Sequence, residues 1–354
     1  MPDISGHGYD MAAPRQSKGA PEGQGDYEVE TMRELEGLEA PEAGWPMETQ
    51  LAAAKGSALA IRTPDRAVLR ITGSDRATWL NGVVTCDVAK MKVGDARYGL
   101  AVTQKGRILA DFYVLYVQDA LIVSLPATQL ADIHATFEKY LVMEDCELTE
   151  DPTASVWNVL GPKARDILEA ARAQGGVGGV VGDGGPESGH LAVIVAADDV
   201  AVAVEQAIRA ALAVAGGVSG DEQAREIFRQ ELAVPRFGFD FDGTTYPQEA
   251  GLEKRAVAFD KGCYLGQEVV CMLELRGHVK RKLVSLAVGG PLPTRGNAVT
   301  NAAGEKVGEV TSAAVSPSLG VLALAMVKAA HTEIGSELLV VGEGASAKAH
   351  VRSM

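Results

Sequence analysis

The sequence predicts an α+β fold: antiparallel sheet first, a small two-layer α/β unit next, and a β-barrel at the C-terminal end. Three observations carry that prediction. From Ala58 to Leu141, strand-like apolar runs follow one another closely with few helical runs between them, which suits antiparallel pairing better than repeated βαβ units. Between Thr153 and Val214 the order becomes strand, helix, strand, helix. Beyond Lys282 only short strands separated by turns such as Ser316-Pro317-Ser318 remain, the pattern of a small closed barrel.

Composition sets the frame for these units. With 354 residues and 47% hydrophobic content, the chain can fill two or three cores. The formal net charge is −14, and residues 1–50 hold 11 acidic against 3 basic side chains, so more than half of the acidity lies in this leader. The same stretch carries 7 Gly and 5 Pro without apolar periodicity, which predicts an acidic disordered leader over 1–50. It has neither the basic start of a secretory signal nor the arginine content of a transit peptide, and no apolar run reaches membrane-spanning length. A soluble cytoplasmic protein is expected.

The elements follow in order. Ala67–Thr72, Arg97–Thr103, Ile108–Val117 and Ala120–Leu125 read as strands, with Ser74–Asn81 and Ala127–Leu141 as helices. Thr153–Leu160 and His190–Ala196 read as strands of the second unit, and Pro162–Gln174 and Asp198–Val214 as its helices. The glycine-rich Gly175–Gly189 has neither Gly-x-Gly-x-x-Gly spacing nor a following Lys-Ser/Thr, so it reads as a hairpin and not a phosphate loop. Asp221–Leu232 is a helix with Asp221 as its cap, leading through Pro235-Arg236-Phe237-Gly238 towards the chemically richest segment. Leu283–Val288, Lys306–Val315, Leu319–Val327 and Leu338–Val341 are the expected barrel strands.

That rich segment is Lys261-Gly262-Cys263-Tyr264-Leu265-Gly266-Gln267-Glu268. A thiol at a helix start beside a lysine tends to ionise below its free value of about 8.5. If the helix begins near Tyr264, then Leu265, Val269, Met272 and Leu273 form an apolar stripe, while Gln267, Cys271 and Glu274 face away from it. The four cysteines, Cys86, Cys146, Cys263 and Cys271, have no Cys-x-x-Cys spacing, so no metal site is expected. Arg276 through Lys282 places five basic side chains, counting His278, among seven residues. Without interleaved aromatics this basic run reads as an anchor for a carboxylate tail, and no direct nucleic-acid binding is expected.

Lys-Gly-Cys-Tyr-x-Gly-Gln-Glu resembles the signature of the YgfZ/GcvT-like folate-binding proteins. The resemblance extends to Tyr246-Pro247-Gln248-Glu249-Ala250-Gly251-Leu252, to Arg276-Gly277, and to an amino-terminal block from Val68 to Asp87 similar to the aminomethyltransferases. It implies a three-domain aminomethyltransferase-like fold around a folate channel. Residues 51–150 and 221–278 would form a discontinuous folate-binding domain, 151–220 a small α/β domain, and 279–354 the barrel. It implies tetrahydrofolate as cofactor, held by Lys261, Gly262, Tyr264, Gly266, Gln267, Glu268, Arg229, Gln248, Glu249 and Arg276, with Cys263 and Asp111 as the reactive groups.

Asp111 occupies a position similar to the aminomethyltransferases' catalytic carboxylate, and Arg225 and Arg229 resemble the family's paired arginines, for which structural ion pairing is expected. The leading expectation is a non-classical accessory factor supporting iron–sulfur cluster assembly or repair in client proteins, and through them tRNA modification. The alternative is a folate-dependent aminomethyl or methyl transferase using Asp111, and a third is a folate-sensing module without turnover. Two departures stand out: Val269–Leu275 replaces the short basic segment that follows Gly-Gln-Glu in many relatives, and the second domain lacks the Gly-Glu-Asp-Gly-type segment with which aminomethyltransferases hold the pterin.

Overall fold

The computed structural model describes residues 44–181, 191–277, 279–342 and 346–353. Most of the expected leader and the second half of the expected Gly175–Gly189 hairpin lie outside the described residues. The leader was expected to reach Gln50, but α1 spans Met47–Gly56 and buries Gln50, Leu51, Ala53 and Ala54. Its alanine-rich sequence favours helix, and Gln50 accepts from the Asp221 backbone N–H at 3.0 Å, so tertiary packing holds the helix.

Next come β1 (Leu59–Arg62), β2 (Arg66–Thr72), α2 (Arg76–Val83), β3 (Ala96–Val102), β4 (Ile108–Tyr116), β5 (Leu121–Pro126), α3 (Leu130–Glu138) and β6 (Glu147–Asp151). The second part holds β7 (Ser155–Leu160), α4 (Ala164–Ala173), β8 (Val177–Val181), β9 (Leu191–Ala196), α5 (Asp198–Ala215) and β10 (Val218–Ser219). Then follow α6 (Glu222–Glu231), α7 (Glu253–Ala256) and α8 (Gln267–Arg276). The last part is β11 (Arg281–Val288), β12 (Ala298–Thr300), β13 (Lys306–Ser316), β14 (Gly320–Lys328), β15 (Glu337–Val341) and β16 (Ser346–Arg352).

Among the described residues, two five-stranded sheets and a barrel result. The first sheet runs β3-β4-β5-β2-β6, the second β10-β1-β7-β9-β8, and the barrel closes in the order β11-β14-β13-β12-β15-β16. Every pairing is antiparallel except β1 with β10. Strand β1 comes before the first sheet in the chain yet sits in the second, between β10 and β7. Leu59, Ala60 and Ile61 are all buried, and only a central place covers both faces of such a run.

Period-two alternation decides which side chains meet. On β4, Ala110, Phe112 and Val114 join the core under α2 and α3, while Tyr113 and Leu115 point into a central core shared with the second sheet. On β7, Val156 and Leu160 face that central core, and Trp157 and Val159 pack under α4 and α5. The sheets therefore meet face to face with helices outside. Asp111, two residues before Tyr113, shares its face, so the strand's own geometry directs this carboxylate to the interior.

The barrel docks through α6 and the loop after it. Asp240, buried, accepts from Arg229 Nη1 at 2.7 Å, the Arg236 backbone N–H at 2.9 Å, Thr311 Oγ1 at 2.6 Å and Ser312 Oγ at 2.5 Å. Gln230 donates to Ser312 Oγ at 2.6 Å, and Lys55 pairs with Glu231 at 3.0 Å.

Candidate active site

A cleft of about 800 Å³, counting its open mouth, lies between the sheets and beneath the loop that follows α6. Its walls are Asp65 and Arg66 at the entrance to β2, Asp111 and Tyr113 on β4, Asn158 on β7, Arg225 and Arg229 on α6, and the loop bearing Arg236, Phe237 and Phe239. The cleft therefore draws on both sheets and on α6 with the loop after it.

Asp111 is 8% exposed and stands opposite Leu100 on β3. Its Oδ2 accepts from the Tyr98 hydroxyl at 3.1 Å and lies 3.8 Å from Arg66 Nη1. Its Oδ1 is buried without a hydrogen-bond partner among the described residues. A buried carboxylate oxygen left unpaired is costly unless something else meets it.

Four arginines surround this carboxylate at different depths. Arg229 is committed to structure: its Nη1 donates to Asp240 and to the Val234 carbonyl at 3.0 Å, and its fork is bidentate to Glu226. Burial works to lower its pKa, but Asp240 and Glu226 outweigh it and hold the guanidinium charged. Arg225 and Arg236 converge on Asp65 Oδ2 at 3.5 and 2.9 Å. Burial pushes the Asp65 pKa up, while Arg225, Arg236 and Arg66 pull harder, so it ends below the ordinary carboxylate value. The structural ion pairing expected for Arg225 and Arg229 is present, with Asp65, Glu222, Glu226 and Asp240 as partners.

The signature segment sits elsewhere. Lys261 Nζ donates to the carbonyls of Asn81, Val84 and Cys86 at 2.7, 2.8 and 2.7 Å, closing the C-terminal end of α2, which favours a cation. Burial draws its pKa down to about 8, against the pull of Cys86 and Asp87. This corrects the expectation that Lys261 activates the neighbouring thiol. The helix also starts later than expected: α8 begins at Gln267, with Gly266 as its cap at φ 76°, so Cys263 lies in the loop before the helix mouth. Cys263 is exposed and does not line the cleft.

The apolar stripe expected on this helix is corrected too. Within α8 only Val270 is buried, while Met272 and Leu275 are exposed. The buried anchor comes from Tyr264, upstream of the helix, whose hydroxyl has no hydrogen-bond partner among the described residues and whose pKa burial raises.

Of the residues expected at the site, Asp111 and Arg229 line the cleft. Gln248 donates to the Val270 carbonyl at 2.9 Å and holds α8 in place. Glu249 is buried between Arg107 at 3.3 Å and Arg281 at 3.2 Å, clasping the β3–β4 turn to the barrel. Gln267 accepts from the Tyr264 backbone N–H at 3.3 Å, whereas Gly262, Glu268 and Arg276 are exposed on the signature loop and helix. The carboxylate anchor expected at Arg276–Lys282 is not on the cleft wall: Arg281 is spent on Glu249, Lys280 and Lys282 are exposed, and His278 lies outside the described residues.

Cleft residues that sequence reasoning passed over are Asp65, Arg66, Tyr113, Arg236, Phe237 and Phe239. Pro235-Arg236-Phe237-Gly238 carried a signal, a cation set between turn-formers and an aromatic. Asp65 and Arg66 carried none, because their place depends on how the two sheets face each other.

Comparison with known proteins agrees with this architecture. Residues 65–175 match the GCVT N-terminal domain, and residues 281–354 match the glycine cleavage T-protein C-terminal barrel domain. The chain is thus similar to both T-protein domains. It is 28% identical over 327 residues to an aminomethyltransferase of Streptomyces coelicolor, covering 83% of this chain and 87% of the relative. It is 29% identical over 325 residues to the Streptomyces avermitilis aminomethyltransferase, covering 83% and 86%. The crystal structure of glycine cleavage system aminomethyltransferase T from Bartonella henselae superposes with a TM-score of 0.74 at 19% identity, over 92% of this chain and 96% of that one. The T-protein domain matches fall on the elements that build the first sheet and the barrel, and Asp111 lies inside the first of them. Among the described residues, no helix is long and apolar enough to cross a membrane.

Proposed function

We propose that the chain binds a folate in the inter-sheet cleft and transfers a one-carbon unit there, with Asp111 as its acid–base group. One observation carries this reading: Asp111 is buried on the cleft wall with one carboxylate oxygen lacking a partner among the described residues. The relatives named aminomethyltransferase support it. The residues present fit a folate in kind: the unpartnered Asp111 Oδ1 can meet an amine N–H, Phe237 adds an aromatic surface, and Arg225 and Arg236, already paired with Asp65 and Glu222, keep positive charge on the wall that a carboxylate would face. Tetrahydrofolate, when bound, supplies the amine nitrogens that accept the one-carbon unit.

The chain's own contribution is to aim one carboxylate. The Tyr98 hydroxyl donates to Oδ2 and fixes the plane of the group, so Oδ1 is the oxygen left to take or return a proton on a bound amine. Asp111→Asn keeps the shape and removes the base. The expected result is loss of folate-dependent one-carbon transfer by about 100-fold or more with folate still bound; transfer at the wild-type rate in the variant overturns the reading.

A second reading, the YgfZ-type accessory factor for iron–sulfur proteins and tRNA modification, is supported by the exposed Cys263 on its Lys261-anchored loop. It predicts that Cys263→Ser abolishes rescue of a cluster-containing enzyme in cells lacking the protein while Asp111→Asn does not. The transferase reading predicts the reverse sensitivity.

A further inference from the structure

Arg66 is the cleft residue that no role described so far absorbs. Its guanidinium is held from two sides: Nη2 donates to the Ser124 carbonyl, and the group stacks 5.4 Å above the Tyr113 ring. Its Nε lies 3.4 Å from Ser124 Oγ, and the side chain is only 10% exposed. This fixes where Nη1 stands, 3.8 Å from Asp111 Oδ2. A relaxed charge-assisted pair closes to about 2.7–2.9 Å, so this pair is close enough to attract and too far apart to hydrogen-bond. Nη1 has no hydrogen-bond partner among the described residues, and neither has Asp111 Oδ1.

We propose that Arg66 and Asp111 together form a binding subsite for a small amino-acid zwitterion, with its carboxylate on Arg66 and its nitrogen on Asp111. The proposal rests on the folate-transfer reading above and goes on to name a second ligand of the same cleft. A cation and an anion a few ångström apart, each with unspent hydrogen-bonding capacity, match a ligand whose amine and carboxylate are equally close. A folate does not have that layout, because the aminobenzoyl group separates its reactive nitrogens from its glutamate carboxylates. One folate molecule therefore cannot satisfy both members of so compact a pair. An amine carried on a neutral arm, with no carboxylate beside the nitrogen, would leave Arg66 unanswered.

The test is calorimetric titration of the full chain with N-methylglycine and with N-methylethylamine, which has the same secondary amine and a methyl group where the carboxylate stood. Wild type is expected to bind N-methylglycine at least about tenfold more tightly. Arg66→Met is expected to erase that preference while tetrahydrofolate affinity stays within about twofold. Equal binding of the two probes by wild type, or no binding of N-methylglycine at millimolar concentration, overturns the proposal without any variant having to fold. A loss of folate affinity in Arg66→Met as large as the loss for N-methylglycine also overturns it, by assigning Arg66 to the folate. Failure of wild type to bind tetrahydrofolate strikes the folate-transfer reading instead and is read in a separate titration.

Discussion

Replacing Arg229 by Met removes the centre of the joint between α6, the loop that roofs the cleft, and the barrel. The variant keeps a side chain of similar reach but loses the donors to Asp240, Val234 and Glu226. The heaviest consequence falls on Asp240, whose carboxylate is fully buried and whose only ion-pair partner among the described residues is Arg229. Leaving such a charge unpaired costs about 3–5 kcal/mol, less whatever Thr311, Ser312 and the Arg236 backbone N–H still supply. We expect a net loss of about 3 kcal/mol in urea unfolding followed by circular dichroism. Arg229→Lys retains the charge without the fork and should lose about 1–2 kcal/mol. Adding Asp240→Asn to Arg229→Met neutralises the stranded carboxylate and should recover part of the loss, giving a non-additive cycle. A fully additive cycle, or Arg229→Met unfolding at the wild-type midpoint, refutes the argument that Arg229 exists to pair Asp240.

Three further outcomes are expected. Gly266→Ala should destabilise by at least about 2 kcal/mol in the same unfolding assay, because a Cβ at φ 76° is strained and would stand 2.3 Å from the Thr103 carbonyl oxygen. A maleimide reagent at pH 8 should label one thiol quickly, Cys263, because Cys86 is buried and held up to about 12 by that burial, Cys146 is pushed up to about 11, and Cys271 is raised as well; mass mapping that finds equal rates at all four would contradict this. Asp65, whose folded pKa lies below its unfolded value, contributes stability that is complete above the ordinary carboxylate range and is lost as pH falls through the folded pKa. Asp65→Asn should accordingly flatten the acid side of the stability profile, and an unchanged profile would show that its arginine partners do not matter.

The strands with strong alternation were legible in the sequence to within a residue or two at most ends. The stretch read as Ile108–Val117 forms β4 over Ile108–Tyr116, and Asp221 caps α6 by accepting from the Ala224 backbone N–H at 2.8 Å. Such features depend on neighbours in the chain. β1, β6, β8, β10, β12 and β16 were not anticipated; half-exposed strands such as Glu147–Asp151 owe their form to the partner they hydrogen-bond. The signature helix was misplaced for a related reason. Lys261 beside Cys263 reads as an activated thiol only while the lysine is free, and three carbonyls at the far end of α2 have claimed it.

What the chain's linear pattern settled alone was the order of its units and the concentration of acidity in the leader. Those follow from local periodicity and composition, which need no knowledge of distant contacts. That Asp111 points inward from an apolar run, and which arginines surround it, was decided only when the two sheets closed face to face. Arg66, Arg225, Arg229 and Arg236 are separated by up to 170 positions in sequence, and only the shared central core brings Asp65, from the turn before β2, against Arg236. Electrostatic recognition depends on distances of a few ångström in three dimensions, and those distances are set by packing that no local pattern records.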